Sequence, residues 1–151
     1  MAAGTMERTQ RTVVGIDGSR GSLAALEWAA CRAEATGSTV VAVASWTWPR
    51  GYGAAVLIPG DYDPAADAES LVRGAVADAR LRHPAVAFVP RVVEGRAADV
   101  LVEASRGADL LAVGCRGHNE VSGLVLGSVS EHCTTHAHSP VLVIRDDTPV
   151  G

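Results

Sequence analysis

The chain has 151 residues, of which 48% are hydrophobic and 20% are charged, and its formal net charge is −4. This length suits one globular domain, and the acidic balance offers no basic surface for sequence-independent binding of nucleic acid or of an anionic membrane. The first twelve residues lack an apolar core, so we expect neither a signal peptide nor a membrane span there. We interpret residues 1–10 as a flexible arm, 11–146 as the domain and 147–151 as a C-terminal tail.

The first half of the domain alternates strand and helix patterns. Thr12–Asp17 is typical of a strand that ends in the turn residues Asp17-Gly18-Ser19, and apolar residues then recur at helical spacing as far as Gly37. Thr39–Ser45 is almost wholly apolar, which is typical of a strand covered on both faces. Residues 46–63 contain many glycines and prolines, and they predict a long connection of the kind that is often functional.

The second half continues this alternation. The predicted elements are a helix over Pro64–Arg82, a strand over Val86–Val93, a helix over Ala97–Arg106, a strand over Asp109–Val113, a helix over Ser128–Ala137 and a strand over Val141–Ile144. This order predicts an α/β fold, a single-domain doubly wound sheet of five parallel strands with helices on both faces. Such sheets bind ligands at the carboxyl ends of their strands, where the winding reverses.

Glycines follow the fourth predicted strand in the spacing Gly114-x2-Gly117-x9-Gly127-Ser128. The spacing differs from the P-loop, which requires Gly-Lys-Ser/Thr, and from the dinucleotide-binding fingerprint. Backbone N–H groups beside glycines can approach an anion closely, and the positive end of a helix that begins near Ser128 favours negative charge. The pattern therefore indicates a phosphate-binding loop that works without a P-loop lysine.

Three segments together resemble the ATP-binding branch of the universal stress protein family: Val14-Gly-Ile-Asp-Gly-Ser19, the glycine spacing just described, and Ser139-Pro-Val-Leu-Val-Ile144. The resemblance extends over about residues 11–146. It implies an adenine nucleotide alpha-hydrolase-like fold with strand order 3-2-1-4-5, which places the first and fourth strands side by side. Asp17 and the glycine loop would then share one crevice.

The resemblance also implies roles for individual residues. Asp17 matches the aspartate that contacts adenosine, and the backbone of Gly15 and Ser45 matches the lining of the adenine pocket. The residues that match the ribose- and phosphate-binding segments are Gly114, Arg116, Gly117, Gly127, Ser128, Val129 and Ser130. The hydroxyl groups of Ser128 and Ser130 and the charge of Arg116 suit phosphate oxygens.

Structural roles compete with some of these assignments. Asp17 and Ser128 are each also suited to cap a helix, and for Asp17 we favour ligand contact because the late glycine pattern is complete. His132 and His136 lie one helical turn apart, a spacing that can bind zinc, but no ligand from a second segment is evident and we expect no metal there.

The three cysteines, Cys31, Cys115 and Cys133, form no CxxC pair. An odd number of cysteines in a domain that can form a full core favours reduced thiols and a cytoplasmic location. We interpret Cys115 as a small side chain tolerated beside a glycine rather than as a redox-sensitive thiol.

The sequence thus predicts a cytoplasmic ATP-binding protein that acts as a nucleotide-dependent regulator or sensor in a stress response, with ATP bound alone or with Mg²⁺. No fast hydrolase is indicated, and the resemblance permits at most weak ATPase activity. The alternatives are a slow ATP hydrolase or phosphotransferase that uses Asp17, and a nucleotide-free dimeric interaction module. The resemblance further implies a homodimer formed through the last strand, Val141–Ile144, and an apolar edge strand invites such pairing.

Overall fold

The computed structural model describes residues 9–49, 59–115 and 126–145. Its strands are β1 (Arg11–Gly15), β2 (Thr39–Trp46), β3 (Phe88–Glu94), β4 (Leu110–Gly114) and β5 (Val141–Ile144), and its helices are α1 (Arg20–Thr36), α2 (Pro64–Arg82), α3 (Ala97–Ala104) and α4 (Ser128–His136). The predicted tail lies outside the described residues, as does most of the predicted arm. None of the helices in the described part of the chain combines the length and hydropathy needed to cross a membrane.

The five strands form one parallel sheet in the order β3-β2-β1-β4-β5, which confirms the predicted topology. Strand β1 lies at the centre, where Thr12 pairs with Val40 on one side and with Leu110 on the other. The chain winds from β1 outward to β3 and then returns to the opposite side at β4. The carboxyl ends of β1 and β4 are consequently neighbours at the point where the winding reverses.

Helices cover both faces of the sheet because successive strand side chains point in opposite directions. Val14 and Val40 pack with α1 and α2, whereas Val13 and Val41 pack with α3 and α4. These four valines are at most 2% exposed, and full burial of such a side chain contributes about 1.5–3 kcal/mol. The long apolar runs of β1 and β2 follow from this double coverage.

The helix ends resolve the capping alternatives. Ser19, not Asp17, caps α1, since the Ser19 hydroxyl oxygen accepts a hydrogen bond from the Ser22 N–H at 3.2 Å. Gly37 ends that helix with a left-handed φ of 74°. The N-cap of α4 is Gly127, which has no side chain with which to cap the helix. The interpretation of Asp17 or Ser128 as a helix cap is therefore wrong.

Strand β1 ends two residues earlier than predicted. Asp17 is already part of a turn, because its carboxylate accepts a hydrogen bond from the Ser19 N–H at 2.9 Å and Gly18 adopts a φ of 83°. Apolar content alone cannot detect this turn, because Ile16 is buried like a strand residue.

Two of the three cysteines are buried. Cys133 is fully enclosed on α4, and burial raises the pKa of its thiol to about 11, so the thiol stays protonated at neutral pH. Cys115 is 6% exposed, which agrees with its interpretation as a small packed side chain. Cys31 is exposed on α1, and none of these three described cysteines forms a disulfide bond.

Candidate functional site

A cleft of about 390 Å³ opens at the carboxyl ends of β1, β2 and β4. Its volume falls within the range of small-molecule sites. Six of the residues predicted to contact a nucleotide line it, namely Gly15, Asp17, Ser45, Gly114, Val129 and Ser130. The fold thus brings together the early and late motifs of the sequence, while the contacts of these residues with a ligand stay a prediction.

Asp17 lies at the mouth of this cleft, on the turn between β1 and α1. It is exposed, and its Oδ1 accepts the hydrogen bond from the Ser19 N–H. The Asp17 N–H lies 3.4 Å from the Ser22 hydroxyl oxygen. These contacts fix the position of a carboxylate at the crossover point of the sheet, where a ligand hydroxyl or amine can reach it.

Gly15 and Gly114 are required by packing inside the protein. A Cβ atom on Gly15 would lie 2.7 Å from a methyl carbon of Leu101. A Cβ atom on Gly114 would lie 2.7 Å from the carbonyl carbon of Gly21 and 2.8 Å from the Ser22 nitrogen, which are backbone atoms of the first turn of α1. Gly114 therefore lets α1 begin directly against the end of β4, which forms one wall of the cleft.

A set of hydrogen bonds joins the end of β4 to β5 and α4. The Cys115 N–H donates to the Ile144 carbonyl, and the Cys115 carbonyl accepts from the Gly127 N–H, both at 2.7 Å. The Ser130 hydroxyl donates to the carbonyls of Cys115 at 2.8 Å and Gly127 at 3.0 Å. Because these bonds use its only hydroxyl proton, the group that Ser130 can offer a phosphate is its backbone N–H. Arg116 and Gly117 lie outside the described residues.

A second groove, of about 530 Å³, runs between α3 and α4 beside the cleft. Ala97 and Val129 line both cavities, so the two are adjacent. Ser128 is exposed at the N-terminus of α4 and lines this groove, whose lining also includes Arg96, His132 and His136. The unpaired N–H groups of a first helical turn attract anions, and the groove adds a cationic guanidinium to that end of α4.

The opposite wall of the cleft comes from the start of α2 and from the connection before it, with Tyr62, Asp67 and Leu71 lining the cavity. Residues 46–63, which include Tyr62, were expected to be a functional connection, whereas the contribution of Asp67 and Leu71 was not predicted. The spacing of Asp67 and Leu71 places them on one helical face, a signal that could have identified them. The lining within the described residues has apolar surfaces and two carboxylates, Asp17 and Asp67, but contains no Lys, Arg or His. Such a cavity suits a flat apolar group that carries hydroxyl or amino substituents.

Comparisons with known proteins agree on one family. The sequence profile of the universal stress protein family matches residues 8–145. A universal stress protein of Mycobacterium tuberculosis is 34% identical over 147 residues, a match that covers 95% of this chain and 51% of the relative. The chain therefore spans about half the length of its mycobacterial relatives.

Solved structures extend the comparison. A universal stress protein crystallised in complex with cAMP is 29% identical, with a TM-score of 0.69 and coverage of 92% of this chain and 98% of that one. An Arabidopsis thaliana protein of the same family, with AMP bound, is 18% identical, with a TM-score of 0.66 and coverage of 93% and 96%. At that identity the likeness shows the fold alone.

Proposed function

The chain belongs to the universal stress protein family, and we propose that it binds an adenine nucleotide in the cleft between the ends of β1 and β4. ATP is the proposed ligand. The protein would act in the cytoplasm as a regulator or sensor whose nucleotide state is read by a partner during a stress response. The 29% identical neighbour that holds cAMP supports a nucleotide with an adenine base.

One observation carries this proposal: the two sequence motifs, about 100 residues apart, line a single cavity at the crossover point. Asp17 follows β1 and Gly114 ends β4, and both line the cleft. The apolar surfaces of Ile16, Val43 and Leu71 suit a purine base. The carboxylate of Asp17 is a strong acceptor for a ribose hydroxyl or for the adenine amino group.

The phosphate chain would extend from the cleft toward α4. This helix begins after a glycine N-cap, and Ser128 is exposed at its first position. A longer chain would continue into the neighbouring groove, where Arg96 can pair with the terminal phosphates. AMP has only one phosphate and would not reach that far, so the groove favours ATP over AMP.

Mg²⁺ would accompany ATP in this arrangement. The Glu131 carboxylate lines the same groove and is an oxygen ligand of the kind that Mg²⁺ prefers. For hydrolysis, a water molecule must be oriented in line with the leaving phosphate and the developing charge must be stabilised. Within the described residues the cleft lining contains no Lys, Arg or His, whereas Arg96 lines the neighbouring groove, which supports binding with slow turnover at most.

Tryptophan fluorescence tests nucleotide binding. Trp46 lines the cleft, and its ring centroid lies 5.7 Å from that of Trp48. Titration of the untagged protein with ATP or AMP should therefore change its emission, and Trp46→Phe should remove most of the change. Trp28→Phe is the control, because Trp28 lies on α1 and does not line the cleft. A protein that shows no response to either nucleotide, and that carries none when purified, would favour the nucleotide-free module.

The same titration distinguishes ATP from AMP as the fitted ligand. Arg96→Ala should weaken ATP binding about threefold to tenfold, the effect of one exposed charge-assisted contact, and should change AMP affinity less than about twofold. Arg73→Ala removes another exposed positive charge, from α2 and outside both cavities, and controls for net charge. Equal losses for ATP and AMP in Arg96→Ala would contradict the assigned path of the phosphates.

We further propose that the chain forms a homodimer through β5. This strand lies at one edge of the sheet, and all four of its side chains are half-buried. The Pro140 and Ile144 carbonyls accept bonds from β4, so in a parallel ladder the backbone groups of Val143 face away from β4. We expect a dimer in sedimentation at micromolar concentration and a folded monomer for Val143→Pro, which removes an outward N–H. A monomeric unmodified chain would contradict the proposal.

A further inference from the structure

A cluster of potential metal ligands lies between α1 and α2, remote from the cleft. It consists of Glu27 and Cys31 on α1 and His83 at the end of α2. One ligand atom of each residue can be chosen so that all lie within 4.8 Å of one another. None of the three lines the cleft or the neighbouring groove.

The sequence places these groups on one side of α1. Glu27, Cys31 and Glu34 follow the i, i+4, i+7 spacing of a single helical face. His83 reaches this face because α2 ends there, where the His83 N–H donates to the Ala79 carbonyl at 2.8 Å. Its imidazole is 8% exposed, and therefore lies more than nine-tenths buried against the acidic face of α1.

Each nitrogen of the His83 ring contacts a carboxylate. Nε2 lies 2.7 Å from Glu27 Oε1, and Nδ1 contacts Glu34 Oε1. The second oxygen of Glu27 accepts a hydrogen bond from Arg82 Nε at 3.0 Å. A neutral imidazole has one donor and one acceptor nitrogen, so one of these contacts requires either a second proton or another cation between the ring and the carboxylate.

We propose that Glu27, Cys31 and His83 bind a divalent transition metal ion of the zinc class. Thiolate, imidazole and carboxylate together are the donor set typical of zinc. Zinc would lie between His83 Nε2 and Glu27 Oε1 and take the Cys31 sulfur as its third protein ligand, with water in the fourth position. In a tetrahedral site the donor atoms are about 3–4 Å apart. Small side-chain rotations would therefore widen the 2.7 Å contact between His83 Nε2 and Glu27 Oε1 and bring the Cys31 sulfur, now within 4.8 Å, to bonding position.

Glu34 would orient His83 as a ligand of the metal ion without binding the ion itself. Metal-bound histidines usually donate their other ring N–H to a carboxylate, which orients the ring and strengthens the ligand. The contact between His83 Nδ1 and Glu34 provides this partner. Binding would release the thiol proton of Cys31, because the thiolate is the form that binds metal.

The local charges favour a cation. Burial raises the pKa of the Cys31 thiol, and the negative charges of Glu27 and Glu34 raise it further. Hydrogen bonds from Glu34 and Glu27 raise the pKa of His83. Arg82 faces this cluster, and its guanidinium Nε lies 3.0 Å from Glu27 Oε2.

Titration of the EDTA-treated, untagged full chain with Zn²⁺ tests the site, with Co²⁺ as the spectroscopic probe. We expect one ion per chain and a cobalt–thiolate charge-transfer band. Cys31→Ser should abolish the band and weaken Zn²⁺ binding at least 100-fold, and Glu34→Gln should weaken it about 10–100-fold. Zn²⁺ should also protect Cys31 from alkylation, since Cys115 and Cys133 are buried.

Two controls distinguish this site from zinc binding by the histidines of α4 and from a loss of folding. His136→Gln removes one member of the histidine pair on α4, His132 and His136, whose ring centroids lie 4.3 Å apart, and should leave Zn²⁺ affinity unchanged. Cys31 is exposed, so Cys31→Ser should fold even where a His83 variant does not. Unchanged Zn²⁺ binding in Cys31→Ser, or its loss in His136→Gln, would overturn the proposal. In either case His83 serves only to link α1 and α2 as a protonated ring.

Discussion

ATP at one hundred times its dissociation constant should raise the melting temperature of the protein by roughly 5–10 °C. A ligand at that excess adds about 2.7 kcal/mol to the free energy of unfolding, and a chain of this length gains about 2–4 °C per kcal/mol. The shift can be measured by calorimetry or by dye-based melting at several ATP concentrations. Its rise with the logarithm of ATP concentration distinguishes binding to the native state from a general salt effect.

Asp17→Ala should reduce this shift to half or less. A hydrogen bond to a charged group contributes about 1.5–3 kcal/mol, so its loss weakens binding by about 10–150-fold. The variant without ATP should melt a little below the unmodified chain, because it loses the exposed bond from the Ser19 N–H while Ser19 still caps α1. Asp17→Asn keeps an acceptor for the Ser19 N–H, and its ATP-induced rise in melting temperature should lie between those of Asp17→Ala and the unmodified chain.

Asp78→Ala is the matched control for charge. Asp78 is exposed on α2 and lines neither cavity, so its loss should leave the shift unchanged. Equal shifts in Asp17→Ala and the unmodified chain would remove Asp17 from the site. A melting temperature that does not respond to ATP in any variant would instead contradict nucleotide binding itself.

Gly114→Ala should lower the free energy of unfolding by about 1–3 kcal/mol, the usual cost of forcing an extra methyl group into a packed interior. The added Cβ would meet the Gly21 and Ser22 backbone at 2.7–3.0 Å. Backbone atoms cannot rotate away as a side chain can, so the first turn of α1 must move from β4. Urea unfolding monitored by circular dichroism measures the change.

Gly74→Ala is the matched control for Gly114→Ala, and it should raise the free energy of unfolding instead of lowering it. Gly74 is exposed within α2, and nothing lies within 4 Å of a Cβ atom placed there. Alanine in a helix interior is more favourable than glycine by roughly 0.5–1 kcal/mol, so this variant should be more stable than the unmodified chain. If both alanine variants shift stability in the same direction, Gly114 does not have the packing role assigned to it.

Gly114 shows that a glycine in a ligand-binding motif can also be required by packing within the protein. The sequence pattern indicates that glycines follow β4 to admit a phosphate, yet at Gly114 the structure shows that the glycine admits the backbone of α1. Ser130 likewise has a structural role, because its hydroxyl donates hydrogen bonds to the backbone carbonyls of Cys115 and Gly127. Both residues shape the proposed phosphate site through the protein's own backbone.

The sequence by itself determined the order of elements and the α/β class, because buried parallel strands must be apolar throughout and amphipathic helices must repeat at 3.6 residues. The strand order was implied by the family resemblance, and with β1 and β4 as neighbours the motifs that follow them predicted the position of the cleft. Only the tertiary structure decided which residues from α2 form the opposite wall and that His83 meets Glu27, Cys31 and Glu34. These contacts join segments about 50 residues apart, and they depend on how one helix packs against another. Local periodicity does not determine the distance or the crossing angle between two helices.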